Sequence, residues 1–186
     1  MSSGKSLHLL TTANNLEENN INHQLLKPSI DTRTIDSISS RLGIERKCTT
    51  FNYDEDIFPY IKNGVKWVLI DESQFLSTNQ VNQLSYYADN NDVNIICYGL
   101  RTDYMSNLFE GSKRLFELSD ELQEIPSYCS CGNKTIINAK IINDNDIATS
   151  YDCDIIEIGG DEKYHSMCRK CYMQKILDKT EYAKEA

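Results

Sequence analysis

Four side chains in this sequence have the types and places that phosphoryl chemistry needs. Lys5 and Ser6 lie in Ser3-Gly4-Lys5-Ser6, the back half of a G-x-x-x-x-G-K-[ST] phosphate-binding loop. Asp71 and Glu72 end the apolar run of Trp67-Val-Leu-Ile-Asp-Glu-Ser-Gln-Phe75. A Lys for phosphate, a hydroxyl for Mg²⁺ and a strand-end Asp for the same Mg²⁺ are three parts of one mechanism. A carboxylate beside the Mg²⁺ Asp is placed to accept one proton. Each signal is weak by itself, since Asp71 could simply cap a following helix and a Gly-Lys-Ser tripeptide arises often by chance. A second set is thiol chemistry: Cys129-Ser-Cys131 and Cys168-Arg-Lys-Cys171. Tetrahedral Zn²⁺ takes four such ligands, and Gly132 supplies the turn that the tight first pair requires. The other reading is four reduced thiols in a small satellite core. Cys153 and His165 are spare ligand candidates, and Cys48 and Cys97 read as buried thiols.

These residues need elements to hold them. Trp67 to Ile70 is apolar without alternation, the pattern of a strand buried on both faces of a parallel sheet. Its carboxyl end is where open α/β sheets bind ligands. Gly4 to about Asn14 reads as a helix that starts at the phosphate loop, whose N-terminal N–H groups and dipole favour phosphate. Asn14 to Asn22 reads as a loop or frayed end. His23 to Ile30 reads as a strand that ends at Pro28, and Cys48 to Tyr53 as a short strand. Asp54 to Asn63 carries Ile57, Phe58 and Ile61 at helical spacing. Ser77 to Asn91 reads as a helix, Val93 to Tyr98 as a second buried strand, and Lys113 to Ser119 as a helix. The connection from Gly99 to Ser112 is long enough to suggest function. Leu122 to Tyr128 reads as the last strand of the sheet. From Cys129 the strands are short and Gly recurs, and from about Tyr172 the chain is charged and reads as helical or disordered.

Composition sets the outer bounds. At 186 residues, 40% of them hydrophobic, the chain fits one domain with a small appendage. A net charge of −9 argues against non-specific nucleic-acid or membrane binding. No apolar run approaches the ~20 residues of a membrane span, and no signal peptide opens the chain. A cytoplasmic protein is expected, in which the seven Cys are metal ligands or reduced thiols rather than disulfides.

Seven ordered segments carry a resemblance. They are Met1-Ser-Ser-Gly-Lys-Ser6, Lys27-Pro-Ser-Ile-Asp-Thr-Arg33, Leu69-Ile-Asp-Glu-Ser-Gln-Phe75, Tyr98-Gly-Leu-Arg-Thr-Asp-Tyr104, Leu108-Phe-Glu-Gly-Ser112, Cys129-Ser-Cys-Gly132, and Ile158-Gly-Gly160 through Tyr164 to Cys168-Arg-Lys-Cys-Tyr172. In this order the chain resembles the type II (cellular-type) thymidine kinases. The resemblance implies an α/β fold, a P-loop doubly wound, mainly parallel sheet with a small zinc-binding lasso domain. It places the nucleotide-binding domain at residues 1–128, the lasso at 129–172 and a charged tail at 173–186. It implies transfer of the γ-phosphoryl of ATP to the 5'-hydroxyl of thymidine, with Mg²⁺ and Zn²⁺ as cofactors and a homotetramer as the assembly. By motif, Glu72 is the general base. Ser2, Ser3, Gly4, Lys5, Ser6, Asp31, Thr32, Arg33, Asp71 and Gln74 form the ATP and Mg²⁺ site. Met1, Leu100, Tyr104 and Phe109 fall at the nucleoside, with Tyr104 where the family usually stacks a Phe on thymine. Ile155, Ile156, Glu157, Ile158 and Gly159 match the lasso segment that reads the base edge with backbone groups, and Tyr164 a lasso tyrosine. Cys129, Cys131, Cys168 and Cys171 match the zinc ligands.

The sequence departs from the family pattern at its start, where the loop's first Gly and the strand before it are missing. That strand is expected in the middle of the sheet, beside the one ending at Asp71. The chain as written is therefore expected to be a weak or unstable kinase that an upstream extension would restore. Two rival readings follow: a pyrimidine deoxynucleoside kinase of broader base choice, since one methyl is worth only ~1–3 kcal/mol in a pocket, and a non-catalytic nucleotide-binding relic.

Overall fold

The structure is a computed structural model that describes residues 3–31, 36–143, 146–149 and 163–185. Helix α1 (Lys5–Glu18) starts directly after Gly4, whose φ of 78° turns the chain into the first helical turn. The helix runs on through the Asn-rich stretch expected to be a loop, with Leu9, Leu10, Ala13 and Leu16 buried along one stripe. Strand β1 (His23–Pro28) follows. Strands β2 (Ser37–Ser39) and β3 (Glu45–Lys47) pair as an antiparallel hairpin in a stretch the sequence left undecided. Strand β4 (Thr49–Phe51) returns to the main sheet.

The helix expected over Asp54–Asn63 is only a 3-10 turn, Phe58–Tyr60. Pro59 in its middle lacks an N–H and disfavours helix at the residue before it. Gln24 holds the segment instead, donating to the Tyr60 carbonyl at 2.9 Å and accepting from the Lys62 N–H at 2.9 Å. Ile57 and Ile61 stay buried, so the apolar residues face the core without the helix.

Strand β5 (Trp67–Ile70) is followed by a 3-10 turn, Ser73–Phe75, and helix α2 (Thr78–Asn91). A capping box starts α2: Ser77 Oγ accepts from the Gln80 N–H, and Gln80 Oε1 accepts from the Ser77 N–H. Strand β6 (Asn94–Cys97) and helix α3 (Glu110–Leu118) complete this part. Four of these strands form a parallel sheet in the order β4-β1-β5-β6. Leu26, Phe51, Val68 and Ile70 project from one face into a core with Val81 and Leu84 of α2, and Leu115 and Leu118 of α3 pack at its margin. Leu25 and Leu69, one residue out of phase, are buried on the opposite side. Helix α1 packs against β1 with a stripe that takes no part in the first core.

Two expectations about the sheet fail. β5 is bonded on one edge by β1 and on the other by β6, so no further strand has a place beside it. β6 is half-buried, as befits the end of the described sheet. Leu122–Tyr128 forms no strand; Leu122 and Tyr128 are exposed, and one isolated bridge joins Tyr128 to Lys134. Pro126 removes a ladder donor from that stretch.

The chain divides into two compact units, one of Gly4–Arg101 with Phe109–Gln123, the other including Thr102–Leu108 and the chain from Glu124. In the second unit, β7 (Ile137–Asn143) lies between β8 (Asp146–Ile147) and β9 (Tyr164–Met167) in an antiparallel sheet. Helix α4 (Arg169–Glu185) follows, and Ile137, Ala139, Ile147, Met167 and Tyr172 form the core. No described helix is long and apolar enough to cross a membrane.

In the first unit the turn after β5 is gripped from two sides. A Cβ built on Gly111 of α3 would lie 2.6 Å from the Leu76 carbonyl and 2.8 Å from that of Ser73; one on Gly99 would lie 2.6 Å from Ser73 Oγ. Backbone oxygens cannot step aside as a flexible side chain can. Gly111→Ala should therefore cost about 1–3 kcal/mol, as overpacking does, or about 3–10 °C in Tm for a chain of this size. Differential scanning calorimetry checks this; an unchanged Tm would mean that α3 can slide away from the turn at no cost.

Candidate functional site

The turn gripped by those glycines carries the two carboxylates. Asp71 leaves the end of β5 buried, and its Oδ2 accepts from Ser6 Oγ, in the first turn of α1, at 2.8 Å. Its other oxygen accepts from the Glu72 N–H at 3.0 Å. Burial pushes the Asp71 carboxyl above its ordinary range, and the neighbouring Glu72 charge pushes it further; Lys5 and the two hydrogen bonds oppose this. Ser6 and Asp71 bring a hydroxyl and a carboxylate together, a hard-oxygen donor set that suits Mg²⁺. Lys5 stands beside them at the N-terminus of α1, where backbone dipole and side-chain charge have the same sign.

Glu72 is also buried, and its backbone is left-handed, with φ 51° and ψ 37°. For a residue with a Cβ this costs roughly 1–3 kcal/mol, and such strain collects at functional sites. Gln74 Nε2 donates to Glu72 Oε2 at 2.6 Å, and Gln74 Oε1 accepts from the Leu100 N–H at 3.0 Å. The carboxamide of Gln74 is therefore engaged at both ends, and the residue is buried.

Asp31 is buried just beyond β1, with its carboxylate 3.5 Å from the fully buried Lys27 ammonium. Lys27 also donates to the Ser37 carbonyl at 3.1 Å. Sequence reading gave Lys27 no role, although a Lys directly after the apolar Leu25 and Leu26 in a strand is a signal in itself. It also passed over the cluster at Tyr98, whose hydroxyl lies 3.2 Å from both His8 Nδ1 and Thr12 Oγ1. The connection expected to be functional holds Leu100, and Phe109 at the start of α3 packs edge-on against Phe75 with ring centroids 5.8 Å apart.

In the second unit, Tyr104 is buried with the Lys140 ammonium 5.6 Å over its ring, and the Tyr172 hydroxyl donates to its carbonyl at 3.4 Å. Tyr164 begins β9 and is half-buried. Met1, Ser2, Thr32, Arg33, Cys153 and the segment Ile155, Ile156, Glu157, Ile158 and Gly159 lie outside the described residues.

The four predicted cysteines do converge. The sulfurs of Cys129, Cys131, Cys168 and Cys171 all lie within 4.8 Å of one another, and those of Cys131 and Cys168 are 3.6 Å apart. A tetrahedron with Zn–S near 2.3 Å has edges of about 3.8 Å, so the cluster is compatible with zinc. The turn expected at Gly132 is present: its N–H donates to the Cys129 carbonyl at 2.8 Å. The Cys131 and Cys168 backbone N–H groups, bonded to the Cys129 sulfur, bring its pKa down to about 6. Cys171, held as the proton donor to its neighbours, is pushed up to about 12. The cluster thus already carries thiolate character near neutral pH. Cys48 and Cys97 are half-buried, and burial raises their thiols to about 11 and about 12, which keeps both protonated.

A parallel sheet, a helix that begins with Lys and Ser, and a strand-end Asp bonded to that Ser define the class: a nucleotide-dependent phosphotransferase. Comparison with known proteins narrows it. A family model described as thymidine kinase matches residues 1–172. The chain is 36% identical to the thymidine kinase of Rhodopirellula baltica over 97% of its own length and 88% of that protein. It is 40% identical to the thymidine kinase of Enterobacteria phage T4, over 91% and 90% of the two chains. It is 38% identical to that of Mannheimia succiniciproducens, over 94% and 92%. The chain belongs to the thymidine kinase family.

The burial of Asp71 predicts a conflict between function and stability. Its folded pKa is raised, so above its unfolded value the folded chain holds a proton that the unfolded chain releases. Stability is then lost as pH rises through that window, and at neutral pH the charged carboxylate is a net cost in the absence of Mg²⁺. Asp71→Asn should raise Tm at pH 7 in EDTA, by ~0.5–2 kcal/mol in stability. The gain should shrink as pH is lowered toward 4. A gain that instead grows at low pH would reverse the sign of the argument.

Proposed function

We propose that this protein transfers the γ-phosphoryl group of ATP to the 5'-hydroxyl of thymidine, and of deoxyuridine, giving the monophosphate for nucleotide salvage. The observation that supports this most is the 2.8 Å bond from Ser6 to Asp71 with Glu72 as the next residue. A hydroxyl bonded to a carboxylate, with a second carboxylate as the next residue, supports a reading in which the first two would hold Mg²⁺ and the third would serve as base. Bound Mg²⁺ would neutralise charge on the phosphates; Ser6 and Asp71 would hold it, with Asp31, Thr32 and Arg33 completing that end of the site. Lys5 and the loop residues Ser2, Ser3 and Gly4 would hold the phosphate oxygens. Glu72 takes the proton of the 5'-hydroxyl as that oxygen attacks phosphorus and the bond to ADP breaks. By resemblance to the family, Tyr104, Leu100 and Phe109 are assigned to the base, and Met1, Tyr164 and residues 155–159 to the nucleoside.

Zinc at Cys129, Cys131, Cys168 and Cys171 is read as structural, since four thiolates leave no open position for chemistry. The division into a nucleotide-binding domain over 1–128 and a lasso over 129–172, the homotetramer and the cytoplasmic setting belong to the same proposal and rest on the family.

The test is a phosphorylation assay with ATP and Mg²⁺ against a panel of nucleosides. Thymidine and deoxyuridine should be turned over, and deoxyadenosine and deoxyguanosine refused. Glu72→Gln should lose about 10²–10⁴-fold in kcat, as for a missing general base, while ATP still binds. Comparable turnover of a purine nucleoside would sink the substrate assignment, and a near-parental kcat in Glu72→Gln would sink the base.

The zinc reading has its own check. Metal analysis of reduced protein should find about one zinc per chain. Cys168→Ser should release it and raise the thymidine KM more than the ATP KM. Zinc retained by that variant would point to His165 or Cys153 as a ligand.

A further inference from the structure

The buried amide of Gln74 has both of its ends committed, and the order of the commitments is informative. A backbone N–H can only donate, so the Leu100 N–H fixes which end of the carboxamide is oxygen. The nitrogen end is thereby aimed at Glu72 Oε2, 2.6 Å away, a short contact of the charge-assisted kind. The chain of contacts continues outward. The Leu100 carbonyl accepts from Ser112 Oγ in the first turn of α3 at 2.6 Å. A Cβ on Gly99 would come within 3.1 Å of Gln74 Oε1 and 3.0 Å of the Gln74 backbone nitrogen, so the loop after β6 lies against the oxygen end of the side chain and against its backbone. The Glu72 carboxylate is thus tied through Gln74 and Leu100 to a helix it does not belong to.

We infer that Gln74 is a positioning residue for the phosphoryl transfer, holding the Glu72 carboxylate in the orientation from which it takes the hydroxyl proton. Its carboxamide is engaged inside the protein at both ends, by Glu72 at the nitrogen and by Leu100 at the oxygen. This inference rests on Glu72 being the base. The strained backbone at Glu72 fits it: a residue in a left-handed conformation needs its side chain anchored from outside. A carboxylate misplaced by ~1 Å can cost ~10²-fold in rate.

The test measures kcat and both KM values for Gln74→Glu and Gln74→Met, each alone and combined with Glu72→Gln. Gln74→Glu keeps the acceptor for the Leu100 N–H but turns the donor facing Glu72 into an oxygen, whereas Gln74→Met removes both contacts without adding a charge. Both single variants should lose ~10–10²-fold in kcat, with the KM for ATP and for thymidine within ~3-fold of the parent. In the Glu72→Gln background, Gln74→Met should cost less than ~2-fold more, because a residue that acts only through Glu72 has nothing left to position. Three results would overturn the inference. One is a parental kcat in Gln74→Met. Another is a rise confined to the ATP KM, which would make Gln74 a nucleotide ligand. The third is the same fold loss in both backgrounds, which would make its role purely structural. A near-parental kcat in Glu72→Gln alone would instead remove the base assignment, a failure distinguishable from these three.

Discussion

Two carboxylates side by side and out of water is the constraint around which the first unit is arranged. Asp71 and Glu72 repel each other, and burial adds to the cost of charging either. What makes the pair tolerable is a set of groups both local and distant: the Glu72 N–H and Gln74 from the turn itself, Lys5 and Ser6 from α1, and Leu100, which holds Gln74. The strand end alone supplies neither α1 nor Leu100. The parallel sheet puts β5 between β1 and β6, so that α1 and the loop after β6 both reach its carboxyl end. The central position of β5 is therefore an electrostatic requirement as much as a packing one.

The parts legible in the sequence were those encoded locally. Trp67 to Ile70 is a buried strand because four consecutive apolar residues must be covered on both faces. Ser77 and Gln80 announce a helix start three residues apart. The cysteines come in pairs close enough in sequence to share a turn, so only the meeting of the pairs had to be guessed, and they meet. The failures have equally local causes. At Asp54–Asn63 the apolar spacing was right, but Pro59 denies the helix its hydrogen bond. At Leu122–Tyr128 the residues look like a strand, yet without a neighbour there is no ladder to join.

Other features were out of reach because they exist only once separate segments meet. Nothing near Gly111 or Gly99 in sequence says that each will lie against the turn after β5. Gln74 reads as one more polar residue of a motif until its two partners are seen. Tyr98 and Lys140 carry contacts to residues tens of positions away, and a single sequence holds no record of such pairings. Family resemblance named the residues of the site but not the means by which they are held.

The chain's route between its units limits how such a protein could have been assembled from parts. Residues 102–108 leave the first unit, join the second, and return before the chain crosses over again near residue 124. The short excursion brings Tyr104, whose ring lies under Lys140 and whose carbonyl receives the Tyr172 hydroxyl. A cassette beginning at residue 124 would leave that excursion behind and strip the second unit of part of its own interior. Gene fusion or domain shuffling at a single junction therefore could not exchange this unit intact. It would have to be inherited together with the loop after β6, so variation in the part that carries the cysteine cluster and in that loop is expected to be linked across lineages.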